Sequence, residues 1–122
     1  MGGKGAAGRR VVLEVTIKFA ILGDSIAYGQ GAARTADTPA QRLSADLTAH
    51  DLPNECRVFA VPGAQSRDLR AQVELGLAWR PQVALIIIGA NDLTRFVPPE
   101  QAAAQLADAV RRLRAAGTEV VV

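Results

Sequence analysis

A chain of 122 residues is long enough for one domain with a buried core and too short for two. At 49% hydrophobic and 21% charged it has the composition of an ordered globular domain, and a net charge of +2 with 4% aromatics gives no footing for a nucleic-acid partner. Its one cysteine, Cys56, excludes an internal disulfide and, among apolar neighbours, reads as a small core residue.

Residues 1–10 are Gly-rich and basic and are expected to form a disordered leader to a single domain over 11–122. Glu14, Thr16 and Lys18 interrupt the apolar run that follows, so it does not read as a signal peptide. No run is long and apolar enough to span a bilayer, and a cytoplasmic location is the default expectation. Leu13, Val15, Ile17, Phe19 and Ile21 alternate with Glu14, Thr16, Lys18 and Ala20, which predicts a strand over Leu13–Leu22 with its buried part from Ile17. It runs out into Gly23-Asp24-Ser25 and a Gly-containing loop to about Asp37.

Thr38-Pro39 supplies an N-cap and first helical residue for a helix to about His50, with Ala40, Leu43 and Leu47 on one face. A short strand is expected over Arg57–Val61, ending at Pro62-Gly63-Ala64-Gln65. Ser66 is expected to cap a second helix whose buried stripe is Leu69, Val73 and Leu77, with Trp79 as its anchor on the sheet and Arg80-Pro81 as its end. Val83–Ile88 is apolar without alternation, as in a central parallel strand covered on both faces, and ends at Gly89-Ala90-Asn91-Asp92. Pro98-Pro99-Glu100 opens a third helix with Leu106, Val110 and Leu113 buried and Gly117 just past its end. Val120–Val122 begins a fourth strand. The regular alternation implies a parallel sheet with helices on both faces.

In such a sheet the loops that follow the strands share one edge, where open α/β folds place their chemistry. Acyl transfer needs a nucleophile and donors aimed at the developing oxyanion. Ser25 offers a hydroxyl and its own N–H, Gly63 an unobstructed backbone N–H, and Asn91 a side-chain amide. The alternative for Asn91 is a turn residue. Asp24 and Asp92 read as groups that brace their loops rather than as acids. Tyr28 and Phe96 could line an acyl pocket or serve packing. Arg111, Arg112 and Arg114 read as a solvated helix face, and His50 as a helix-end residue. No Gly-x-Gly-x-x-Gly follows the first strand, which excludes a dinucleotide-binding fingerprint.

The ordered set Gly23-Asp24-Ser25 with Gly29, then Gly63, then Gly89-Ala90-Asn91-Asp92, each after its own strand, resembles the SGNH hydrolase superfamily, the GDSL-type esterases and lipases. The resemblance runs from about Ile17 onward. It implies a flavodoxin-like three-layer α/β/α sandwich with a parallel sheet, hydrolysis of carboxylic esters, thioesters or acetylated sugars, a small-molecule ester as the partner, and no metal or organic cofactor. It also implies Ser25 as the nucleophile, with Ser25 N–H, Gly63 N–H and the Asn91 side chain as the oxyanion hole. The family's Asp-x-x-His block has no counterpart here, and the single histidine is His50. The chain is therefore expected to be the first part of such a domain, incomplete at the C-terminus, with an exposed last strand, marginal stability and weak activity by itself. A non-enzymatic flavodoxin-like module that binds a ligand or partner is the alternative.

Overall fold

A computed structural model describes residues 16–122. The expected leader and the first residues of the expected first strand, 13–15, lie outside the described residues. The strands are β1 (Ile17–Gly23), β2 (Asn54–Val58), β3 (Val83–Ile87) and β4 (Glu119–Val121). They form one sheet of order β2-β1-β3-β4, and every pairing is parallel. The carboxyl ends of the strands therefore share an edge, as expected from the alternation of elements.

The helices are α1 (Ser25–Tyr28), α2 (Pro39–Ala49), α3 (Leu69–Trp79), α4 (Ala90–Thr94) and α5 (Pro99–Ala115). The sheet separates two cores. On one face Ala20, Leu22, Ala84 and Ile86 meet Leu69 and Val73 of α3 and Ala109 and Leu113 of α5. On the other face Phe19 and Ile21 meet Ala40, Leu43 and Leu47 of α2. These are the stripes that the helical spacing predicts, because residues three and four apart share a helix face. Thr38 caps α2 and Pro39 starts it, as predicted.

Several expectations are corrected. The second strand spans Asn54–Val58, not Arg57–Val61. It is an edge strand, so Glu55 and Arg57 can occupy it without being buried, and apolarity alone misplaced it. Beyond Val58 the chain leaves the ladder: Phe59 and Ala60 N–H both donate to the Ile21 carbonyl, at 2.8 and 3.2 Å. Ser66 does not cap α3. A 3-10 turn, Ser66–Asp68, precedes that helix, and its capping box is made by Gln65 and Asp68. Arg112 is not part of a solvated face. It is partly covered and pairs with Glu74 of α3 at 3.8 Å. Trp79 anchors α3 as expected, with its ring 6.2 Å from that of Phe59 and Lys18 Nζ 4.8 Å from its centroid.

Cys56 is only half-buried, against the α2-side core. Burial still pushes its thiol up from 9.0 to about 11, so it is a thiol at neutral pH. No helix of the described residues is long and apolar enough to cross a membrane.

Candidate active site

The site lies where β1, β2 and β3 run out. Gly23 pairs with Ile87 at the last rung between β1 and β3. A Cβ at Gly23 would overlap the Ile87 carbonyl oxygen, and φ is +134°, so the close approach of the two strand ends requires glycine. Asp24 N–H then donates to the same carbonyl at 3.0 Å. The Asp24 side chain is buried, and its Oδ1 accepts from Ile26 N–H at 3.0 Å, capping α1. Asp24 thus braces the turn, as expected. The expected loop after the first strand begins instead with the short helix α1, and Ser25 is its first residue. Its N–H has no carbonyl within the helix to bond, which leaves it available as a donor. Ser25 itself is partly exposed.

Gly63 stands at the tip of the tight turn Val61–Ala64, closed by Ala64 N–H donating to the Val61 carbonyl at 3.1 Å. Pro62 precedes it and its φ is +86°, the arrangement of a type II turn. Gly63 is exposed, and nothing lies within 4 Å of where its Cβ would be.

Asn91 lies in α4, directly after β3. Its Nδ2 donates to the Ala64 carbonyl at 3.0 Å. An amide nitrogen carries two hydrogens, so one holds the Gly63 loop while the other can face a ligand. Asn91 is thus more than a turn residue, because its side chain reaches the loop of another strand. Asp92 grips the same loop from beneath. It is buried, and its carboxylate accepts from Ser66 N–H at 3.0 Å to each oxygen and from Ser66 Oγ at 2.7 Å.

The three predicted residues are therefore brought to one edge, where a hydrogen bond ties the Asn91 side chain to the turn that carries Gly63. His50 is not brought there. It follows α2 and precedes β2, at the edge where strands begin, and its Nδ1 is 2.8 Å from the Asp46 carbonyl. Next to it, Pro53 accepts from the N–H of Ile17, the first residue of β1. Tyr28 and Phe96 are exposed, at 53% and 92%, so neither is a core residue. Among the described residues no cluster of His, Cys, Asp or Glu could hold a metal ion.

The contacts of two residues at the site were not expected from the sequence. Ser66 acts through Asp92, as above. Gln72 of α3 is buried at 3%, and its side-chain amide bonds both backbone groups of Gly23. A signal existed: Gln72 falls between Leu69 and Val73 on the buried face of α3, where an apolar residue is the rule.

The carboxyl edge of a parallel α/β sheet thus carries a serine, a glycine turn and an asparagine. Residues 21–122 match the model of the GDSL-like lipase/acylhydrolase family, and the chain belongs to that family. It is 36% identical over 110 residues to a GDSL-like esterase of Mycobacterium tuberculosis, a match covering 87% of this chain and 35% of that protein. Among solved structures it resembles TesA, with a TM-score of 0.77 and 26% identity over 84% of this chain and 57% of that one. It shares its fold with the psychrotrophic esterase EstA of Pseudoalteromonas sp., solved inhibited by monoethylphosphonate, with a TM-score of 0.72 and 24% identity over 85% and 57%. The chain thus spans about a third of the curated esterase and somewhat over half of these structures.

Proposed function

We propose that Ser25 is an acyl-transfer nucleophile and that this chain carries the nucleophile and oxyanion donors of a carboxylic ester hydrolase. The observation that supports this most is the bond from Asn91 Nδ2 to the Ala64 carbonyl, which ties the Asn91 amide to the Gly63 turn at the edge that presents Ser25. In this reading Ser25 Oγ attacks the ester carbonyl carbon as its proton passes to solvent water. The C=O pair moves onto oxygen, and that oxyanion accepts from Ser25 N–H, Gly63 N–H and the second Asn91 Nδ2 hydrogen. Collapse expels the alkoxide, which takes up a proton from water to leave as the alcohol, and a second water then hydrolyses the acyl-serine to the acid and free Ser25. Donors preset toward the oxyanion are worth about 10²–10³ in rate each.

His50, at the other edge, is not the general base for this step. Without a base a serine is a weak nucleophile at neutral pH, so slow turnover by these 122 residues is expected. That location of His50 is also what favours the second reading, a non-catalytic module that keeps the site as a ligand pocket. The substrate is a small-molecule ester, and Tyr28 and Phe96 stand as candidates to contact its acyl group.

A fluorophosphonate probe separates the two readings. We expect a covalent adduct on Ser25, absent in Ser25→Ala and formed faster when imidazole is added to act as a base. Failure to modify Ser25 in the presence of imidazole would refute the nucleophile and leave the ligand-binding module.

A further inference from the structure

We propose that Gln72 is a positioning residue that supplies the acceptor which the chain beyond β2 fails to give Gly23, and so fixes the backbone on which Ser25 is carried. The inference rests on the reading of Ser25 as nucleophile. In β1 the N–H and C=O of alternate residues point to the same neighbour, so Ile21 and Gly23 both face β2. The ladder with β2 ends at the Ile21–Val58 rung. Phe59 and Ala60 then share the Ile21 carbonyl, and the chain swings away toward the Gly63 turn. The Gly23 carbonyl recovers one donor, Val61 N–H at 3.0 Å. The Gly23 N–H would be left buried without an acceptor, which typically costs about 1–3 kcal/mol.

Gln72 fills the gap. Its Oε1 accepts from Gly23 N–H at 2.8 Å, and its Nε2 donates to the Gly23 carbonyl at 3.0 Å. A primary amide reproduces the donor–acceptor pair of a peptide group, so the side chain stands where a strand residue would. Four features make this a device for position rather than incidental packing. Gln72 is 3% exposed, between Leu69 and Val73, which are fully buried, so the amide cannot turn to water. Both ends of the amide are satisfied by one residue. That residue is two positions before Ser25. The same helix is entered directly from the 62–68 segment that carries Gly63. The amide therefore sets the height of Ser25 against the Gly63 donor, and a displacement of about 1 Å at such a site can cost 10² in rate.

The test uses Gln72→Met, which keeps length and removes both polar ends, Gln72→Glu, and Val73→Ala as an equally buried control on the same helix. The readout is the rate of Ser25 modification by a fluorophosphonate, corrected for the folded fraction by circular dichroism. We expect Gln72→Met to slow modification roughly ten- to hundredfold, and Val73→Ala to stay within about twofold despite its lower stability. Gln72→Glu should approach the wild-type rate as pH falls, because a buried carboxyl is protonated more readily and then regains the donor toward the Gly23 carbonyl. Amide exchange of Gly23 gives a second readout that does not depend on reactivity. Gln72→Met should lose protection there at least tenfold and shift the Ser25 amide resonance, whereas Val73→Ala should do neither. Wild-type chemistry per folded chain, or an unchanged Gly23 amide and Ser25 resonance, in Gln72→Met would overturn the proposal. A wild-type chain that is never modified counts against Ser25 as nucleophile, and the amide readout then decides the role of Gln72 alone.

Discussion

The Asp92 carboxylate takes three hydrogen bonds from a single residue, Ser66: two from the backbone N–H and one from the hydroxyl. Ser66 and Asp92 belong to the segments that follow β2 and β3, so this contact holds the Gly63 and Asn91 loops at a fixed separation. Charge-assisted hydrogen bonds in a buried setting are the strong ones. Asp92→Asn turns an amide NH₂ toward donors that need an acceptor. We expect it to lower stability by about 1.5–3 kcal/mol in urea denaturation. Asp92→Glu should restore less than half of the loss, because the longer side chain overfills the buried site.

Asn91→Ala tests the Asn91 amide as a whole. It removes the tie to the Ala64 carbonyl and the proposed oxyanion donor together. Modification of Ser25 by a fluorophosphonate should slow about 10²–10³-fold, the effect of losing one such donor. The urea midpoint should move little, since Asn91 is partly exposed. A rate within about threefold of wild type would remove Asn91 from the oxyanion hole.

Gly23→Ala is expected to be the most damaging single methyl in the chain. The added carbon overlaps the Ile87 carbonyl oxygen at a backbone φ that side chains rarely adopt. The two central strands would have to part at the rung that carries the site. We expect a loss of more than about 3 kcal/mol, read as insoluble expression or loss of the cooperative thermal transition. Gly63→Ala makes the contrast: φ is +86° but nothing lies within 4 Å, so only about 1–2 kcal/mol of backbone strain is expected.

His50→Ala tests the assignment of edges. His50 closes α2 at the strand-start edge. Its removal should leave the rate of Ser25 modification within about twofold of wild type, with or without imidazole. A large decrease would show that His50 reaches the site.

Cys56 makes stability depend on alkaline pH. Burial raises the thiol in the folded chain from 9.0 to about 11. Above pH 9.0 the unfolded chain loses this proton first and the folded chain holds it. Unfolding therefore becomes easier as pH climbs from 9.0 toward 11, and this term is constant below that window. Cys56→Ser should flatten that part of the profile, measured as thermal midpoint against pH. At neutral pH the wild-type thiol should react slowly with iodoacetamide in the folded state and faster in urea.

Much of the architecture is legible from local pattern. Ile17–Leu22, the stripe Leu69-Val73-Leu77 and the caps at Thr38 and Gly117 follow from periodicity and backbone preference, which act over a few residues. Parallel strands then put Ser25, Gly63 and Asn91 at one edge, because a parallel sheet has one edge for all its strand ends. The extent of β2 was not legible: an edge strand needs no apolar run, and its register with Ile17–Ile21 is a long-range property. Nor were the ties that stiffen the site. Ser66 looks like a helix cap and becomes the partner of Asp92, 26 positions away. Gln72 looks like an intruder on an apolar stripe and becomes the acceptor for Gly23, 49 positions away. Residue identity alone therefore indicates which groups could do chemistry here. Their mutual placement comes from buried backbone groups that must find partners once the strands separate, and only the folded chain determines which side chain is within reach.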